Sequence, residues 1–459
     1  MSIDILSLEW PKLKRDINIV EPILSYLEMK YGLKVKRKNY VNYKYYLYKY
    51  KPKIVILSNP RGAINLLNAL KYSKNMGFYA VTLMVEGIFR EMEKKKVIQS
   101  TYGLDKEQSH IEDLHLQWSE RNLKLMNKYI KDIQNEKIKV CGATGFDKYK
   151  IFDFLVKTDF IKKYDKEKYE KVIGLAGWSF SIFLGSYFEK KKQILEKLFT
   201  DKDIEIFRKS KDLLHSIYKK LIINNPDVLF ILKCHPIEPS IELSELYGLD
   251  KFSNTIFIQH EEDIGDLINV SDLWIAFEST TSMEAWLLGK QSMFINPVSK
   301  DFSRAMIYKG HPVFETYEQA QEAIDDFYDT GILKGFDKLE KQRQKIIEST
   351  IQYGDGKNHI RAGEYIFELY NKVKNQHKNY KFSFFEIFKF VIKFLVLKLK
   401  FINRLIIKSP LKKIKKINDS FRYAVESEKL FDPKERYRYV KRYKKYLKKF
   451  YKKNGIDYN

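Results

Sequence analysis

Short apolar runs, each closed by a glycine, a proline or a small polar residue and followed by helical spacing, recur along most of this chain. Lys53-Ile-Val-Ile-Leu-Ser58 ends in Asn59-Pro60-Arg61-Gly62, and a helix is predicted from Ala63 to Asn75. Gly77 to Val85 ends in Glu86-Gly87, and Lys137 to Cys141 runs into Gly142-Ala-Thr-Gly145. Asp16 to Tyr31 has apolar residues at helical spacing and stops at Gly32. Strands that alternate with helices in this way imply a parallel sheet with helices on both faces.

A charged, mostly helical stretch from Tyr149 to Tyr169 interrupts the pattern, which then restarts. Strands are predicted at Lys171–Gly177, Val228–Cys234, Asn254–Ile258, Asp272–Ala276 and Gln291–Pro297. Gly174 and Gly177 bracket a turn after the first of these, without the full dinucleotide fingerprint, so a redox cofactor is unsupported. The expected fold is α/β, two similar halves with a cleft between them. Residues 1–150 form the first half, 151–170 a linker, 171–371 the second half, and 372–459 a basic tail.

Charge is unevenly spread along the 459 residues. From Lys372 to Asn459 there are 27 Lys+Arg and 7 Asp+Glu, a net of +20, against +25 for the whole chain. The body is nearly balanced, so arguments about anionic partners belong to the tail. Glu386, Lys389, Lys393, Lys400 and Arg404 fall on one narrow stripe of a predicted helix, only Lys398 lies opposite, and the rest of the circumference is mostly Phe, Ile, Val and Leu. That pattern suits a helix lying in an anionic membrane surface, with docking on the chain's own core as the competing reading. No nucleic-acid-reading motif is present. Cys141 and Cys234 give neither a disulfide framework nor a zinc spacing. No signal peptide or spanning segment is apparent, so the expected location is cytoplasmic, peripheral on the inner face of the plasma membrane.

The chemistry-bearing residues sit at strand ends. Ser279-Thr-Thr-Ser282 follows the strand Asp272–Ala276 where a helix begins, and such a helix start is a seat for phosphate. Glu284, in the first turn, is placed to reach a ribose. The plain alternative is an N-cap hydroxyl. Lys233, Cys234, His235 and Pro236 close another strand, and the imidazole there can donate to phosphate or act as acid or base, or be a strand-end histidine satisfied by backbone. Glu86 is a candidate general base for a sugar hydroxyl, or an exposed turn residue. Arg15, Asp16 and Asn59 are candidates on the acceptor side, with a helix cap the stronger reading for Asp16. No metal site is expected: the only Asp-Xaa-Asp, Asp201-Lys-Asp203, lies in a charged helical stretch.

Lys-Cys-His-Pro, followed by Ser271-Asp-Leu-Trp-Ile-Ala-Phe-Glu-Ser-Thr-Thr-Ser-Met-Glu-Ala-Trp-Leu-Leu-Gly289, resembles the second domain of GT-B bacterial surface-carbohydrate glycosyltransferases. The Kdo-transferring and polysialyltransferase-like groups are examples, and the CDP-glycerol glycerophosphotransferases are a more distant one. The resemblance implies a GT-B-like fold, two Rossmann-like domains facing across a cleft, with residues 1–150 the acceptor-side domain and 171–371 the nucleotide-sugar domain. It implies that His235 and Ser279 to Ser282 hold the donor's nucleotide phosphates and that Glu86 is the base; Lys233, Pro236, Gly177 and Glu284 are further nucleotide-sugar candidates at the same strand ends. It also implies a metal-independent transfer from a CMP- or UDP-linked sugar to a glycan or lipid-linked acceptor. The nucleotide sugar is then a co-substrate and no cofactor is needed. His235-Pro236 and Tyr353-Gly-Asp-Gly356 also resemble UDP-N-acetylglucosamine 2-epimerases, which place Ser-Gly-Gly where this chain has Ser-Thr-Thr. A scaffold binding anionic lipid or RNA through the tail is the non-enzymatic alternative.

Overall fold

The computed structural model describes residues 3–10, 14–196, 199–236, 238–298, 305–376, 380, 382–398, 423–427 and 430–458. Its apolar runs form two sheets of six strands. The first contains β1 (Ile5–Glu9), β2 (Val35–Asn39), β3 (Ile54–Ser58), β4 (Tyr79–Leu83), β5 (Leu114–Gln117) and β6 (Ile138–Val140), in the order β2-β1-β3-β4-β5-β6. The second contains β7 (Lys171–Ala176), β8 (Val228–Lys233), β9 (Thr255–Ile258), β10 (Leu273–Ala276), β11 (Gln291–Ile295) and β12 (Val313–Phe314), in the order β12-β11-β10-β7-β8-β9. Every pairing is parallel. A parallel sheet is covered on both faces, which is why β1, β3 and β8 are buried at every position.

The chain divides into two compact units, one of residues 1–88, 92–151 and 348–459, the other of 89–91 and 152–347. In the first unit, Ile5, Ile54, Ile56 and Val81 pack on Ile19, Ile23, Leu24 and Leu27 of helix Lys14–Tyr31. Leu6, Leu8, Val55 and Leu57 pack on Leu66 and Leu70 from the opposite side. In the second unit, Ile173, Leu175, Phe230, Leu232 and Ile275 meet Phe207, Leu214 and Leu221 of helix Asp201–Asn224. Thr200 and Asp203 close that helix with a capping box, which gives the expected Asp-Xaa-Asp a structural role. Gly174 lies inside β7 rather than at a turn. A Cβ there would stand 2.3 Å from the Trp274 ring, so glycine is what lets the indole cross the sheet.

The unit boundaries differ from those expected. Residues 152–170 are not a free linker: the Leu155 N–H donates to Asp266 at 2.8 Å and Lys157 pairs with Asp272, tying them to the second unit. The second unit ends at Ile347, and the chain then returns to the first. Helix Asn358–Val373 is pinned there by Asp147, which accepts from the His359 backbone N–H and bonds its ring, both at 2.7 Å.

The tail also returns. Helix Pro433–Lys453 buries Arg436, Tyr443, Leu447, Phe450 and Tyr451, which fall on one helical face. Arg436 pairs with Glu9 at 2.7 Å, Lys444 with Glu28 at 2.9 Å, and Tyr451 bonds the His359 ring at 2.8 Å. Tyr443 and Tyr451 are thus part of a packing face, while Tyr437 of the same helix is 68% exposed. Helix Phe384–Lys398 docks by one side: Phe394 stacks on Tyr45 at 3.9 Å and Glu386 pairs with Lys44 at 3.9 Å. Lys389 and Lys393 are exposed on it, while Lys400 and Arg404 lie outside the described residues. Among the described residues no helix is long and apolar enough to cross a membrane.

Candidate functional site

In the second unit β7 lies between β8 and β10, and Ala176 is level with Lys233 on one side and Ala276 on the other. The three carboxyl ends are therefore neighbours. Strand order runs outward from β7 through β8 to β9, then resumes at β10 on the other side. At such a reversal the loops diverge and leave a crevice, the usual ligand seat of open α/β sheets. The turns at Gly177, His235 and Ser279 all leave from this edge.

Gly177 donates its N–H to the Lys233 carbonyl at 2.8 Å. A Cβ at Gly177 would stand 3.1 Å from that carbonyl oxygen and 3.3 Å from Glu245 Oε1, so the turn is as close as glycine permits. Lys233 turns its ammonium to the carbonyls of Cys234 and Gln259, at 2.6 and 2.8 Å, fastening the ends of β8 and β9. Burial holds that ammonium's pKa below the ordinary lysine value. His235 is half-buried and Pro236 exposed. Burial, with Lys233 adding to it, pulls the His235 pKa down to about 4, so the imidazole is neutral near pH 7 and acts through directed hydrogen bonds rather than charge.

The four hydroxyls divide their work. Thr281 Oγ1 accepts from the Trp274 indole at 3.0 Å and donates to Ser279 Oγ at 2.9 Å. Ser279 Oγ also accepts from the Thr281 N–H at 3.3 Å. Thr280 stands at the N-cap position of helix Thr281–Leu287 without a side-chain cap bond, and the Ser282 hydroxyl is buried without a partner. The N–H groups of Ser282, Met283 and Glu284 bond the carbonyls of Ser279 and Thr280, so much of this short helix start is internally satisfied. Fewer backbone N–H groups are therefore open to a phosphate here than at an ordinary helix start. Glu284 is half-buried in the first turn.

Three acidic groups at this edge were not singled out in the sequence. Glu278, directly after the strand, pairs with Arg90 at 3.1 Å, its side chain 1% exposed. Arg90 belongs to the short segment 89–91 that folds with this unit, a placement no local pattern signals. Glu245 accepts the Trp178 N–H at 2.6 Å, and burial raises its pKa to about 7. Glu238, three residues past His235, has both oxygens buried without a partner. Burial, then the charge of Glu245, raises its pKa to about 8.

In the first unit β1 lies between β2 and β3, so strand order reverses there too. Asp16 is buried in the first turn of its helix and accepts from the Ser58 hydroxyl at 3.0 Å. Arg15 is in the same helix, and its side chain lies outside the described residues. Asn59 leaves β3 in the left-handed region, φ 43°, and donates its N–H to the Leu83 carbonyl at 2.9 Å. Glu86 is exposed three residues beyond the end of β4, the strand paired with β3.

No family model and no curated protein sequence matches this chain. Solved structures do resemble it. The Staphylococcus aureus MnaA–UDP co-structure is 14% identical with a TM-score of 0.53, covering 83% of this chain and 100% of that one. A putative UDP-N-acetylglucosamine 2-epimerase from Listeria monocytogenes is 12% identical with a TM-score of 0.53 over the same shares. The wall teichoic acid polymerase TagF, 13% identical over 81% of this chain and 90% of that one, reaches a TM-score of 0.47, too low to weigh. At these identities the likeness establishes the fold, which is α/β and GT-B-like.

Proposed function

We propose that this chain is an enzyme acting on a nucleotide-activated sugar, and that the sugar is transferred to a glycan or lipid-linked acceptor of a bacterial surface polysaccharide. The observation that carries the reading is the convergence of the Gly177, His235 and Ser279 turns at the point where strand order reverses in the second unit. A nucleotide there would approach the backbone at Gly177. It would meet the neutral His235 imidazole and the hydroxyls of Ser279 and Thr280, with Glu284 toward the ribose. Lys233 and Thr281 would hold this lining in place, because their polar atoms are engaged with protein.

In the transfer, the acceptor hydroxyl forms a bond to the anomeric carbon as the bond from that carbon to the phosphate oxygen breaks. The hydroxyl proton passes to Glu86, and the nucleotide leaves with its charge met by hydrogen-bond donors. A CMP- or UDP-linked donor fits this description. The tail would keep the enzyme at the inner membrane surface beside its acceptor.

Epimerisation of a UDP-sugar is the second reading, favoured by the fold shared with a UDP complex and a putative 2-epimerase. One experiment tests both. Thermal shifts with CMP, CDP, UDP and GDP report the nucleotide, because a ligand that binds the folded state stabilises it. Incubation with the matching sugar nucleotide alone then yields an epimer only under the second reading. Absence of any nucleotide shift would sink both and leave the lipid- or RNA-binding scaffold.

A further inference from the structure

The carboxyl edge of the first sheet holds polar atoms that the protein leaves unanswered. Leu8 pairs with Leu57, so Glu9 and Ser58 come next, side by side at the ends of β1 and β3 and on one face of the sheet. Arg436 reaches this edge from helix Pro433–Lys453. Its Nη2 bonds Glu9 Oε1 at 2.7 Å and lies 3.0 Å from Glu21 Oε2. Glu9 Oε1 also accepts from the Ser7 hydroxyl at 3.1 Å. The other halves of both groups are unused: Glu9 Oε2, Arg436 Nε and Arg436 Nη1 are buried with no hydrogen-bond partner. Arg436 is 6% exposed and Glu9 1% exposed.

Buried guanidinium and carboxylate atoms are seldom left unpaired unless water or a ligand answers them. The surroundings say what kind of group would do so. Glu21 is spanned by Arg37 at 2.7 and 2.8 Å, Arg37 also reaches Glu28 at 2.9 Å, and Lys444 pairs with Glu28. With Asp16 bonded to Ser58 beside them, the acids and bases nearly balance. A phosphate or carboxylate would therefore meet the Glu9 oxygen without surplus positive charge to offset it. A hydroxyl suits both orphans, since it donates to Glu9 Oε2 and accepts from Arg436 Nε or Nη1. Strand order reverses between β1 and β3 at this edge, where open α/β sheets seat ligands.

We propose that Arg436, brought from the far carboxyl-terminal helix, completes with Glu9 a hydroxyl-binding subsite at the carboxyl edge of the first sheet, and that this subsite takes a sugar hydroxyl of the acceptor. The inference rests on the sugar-transfer reading above and adds a residue from the tail to it. Because one partner rides on helix Pro433–Lys453, filling the subsite and seating that helix are coupled, and each favours the other.

Amide hydrogen exchange on the full chain tests this, with methyl β-glucoside, methyl β-galactoside, methyl N-acetyl-β-glucosaminide and glycerol as separate probes and UDP in a parallel arm. At least one polyol should slow exchange several-fold in both 5–9 and 433–453. Arg436→Lys keeps the charge beside Glu9 but lacks the Nε and Nη1 donors, and Glu9→Gln keeps the shape. Each should abolish the polyol effect while retaining a UDP-induced thermal shift. The proposal is overturned if no polyol alters exchange in those segments, which would mean an ordered water only, or if Arg436→Lys responds as the parent does. A missing UDP shift with the polyol effect intact would count against the nucleotide reading and not against this subsite.

Discussion

Glu238 and Glu245 make the second unit's candidate site sensitive to pH in a direction that can be worked out. Glu238 titrates near 8 in the folded chain, against an ordinary value of 4.5. Between those values the folded state holds a proton that the unfolded chain has released, so this group's contribution is whole below about 4.5 and is lost as pH rises through 8. His235 works the other way: its folded pKa is about 4 against 6.5, so its contribution is lost as pH falls from about 6.5 to 4. Glu238→Gln should therefore melt higher than the parent at pH 8 to 9 and converge with it near pH 4.5. A variant no more stable at alkaline pH would mean that Glu238 has a partner in solution. Gly174 offers a steric test. Ala at this position would set a methyl 2.3 Å from the Trp274 ring, which is fully buried, and should cost about 1–3 kcal/mol or more in urea unfolding. The sequence marks His235 and Ser279 because a strand end announces itself by what stops it. Glu245 is unmarked, because what makes it unusual is burial by residues distant in sequence.

At the scale of elements, the strands that could be read were those buried along their whole length. β3, β8 and β10 appear in the sequence as unbroken apolar runs and emerge within a residue or two of expectation. β5, Leu114-His-Leu-Gln117, is equally buried but carries a histidine and a glutamine. His115 is bonded to Thr82 at 2.8 Å and Gln117 donates to the Met126 sulfur, partners that only the folded sheet supplies. The tail shows the converse, since amphipathicity alone does not say which face docks. In helix Phe384–Lys398 the docked side holds Phe390 and Phe394, while Phe384, Phe385, Phe388, Ile392 and Leu395 are 85, 65, 56, 42 and 52% exposed. At ~100° per residue these five span about 100° of arc, with Lys389 and Lys393 along one edge. If the tail meets an anionic bilayer, this apolar arc is the inserting surface and the lysines reach headgroups from its border. Phe388→Ser with Ile392→Ser should weaken co-flotation with phosphatidylglycerol vesicles by about tenfold or more per residue, leaving the melting temperature unchanged. Equal flotation of parent and variant would remove this helix as the anchor.

For the whole molecule, the tail is a structural part of the first unit as well as a source of charge. Removing everything after Tyr380 looks from the sequence like a clean way to separate body from anchor. It would also strip away Tyr443, Leu447 and Tyr451, each 0% exposed against that unit. Leu447→Ala alone should cost about 2–5 kcal/mol, and truncation should destabilise the first unit and not the second. The tryptophans allow the two to be followed separately: Trp10 and Trp118 lie in the first unit, Trp178, Trp274 and Trp286 in the second. With the second set replaced by Phe the emission reports the first unit, and the converse substitution reports the second. On the proposed reading, a nucleotide seated at the Gly177, His235 and Ser279 turns would stabilise the second unit's transition by about 2.7 kcal/mol at a hundredfold excess over its dissociation constant. A polyol answering Glu9 and Arg436 acts on the first. Leu447→Ala should lower the first transition and erase the polyol response, because Arg436 loses the seat of its helix, yet leave the nucleotide's stabilisation of the second unit intact. Loss of both responses together would show that the terminal helix serves the fold as a whole and has no separate part in binding sugar.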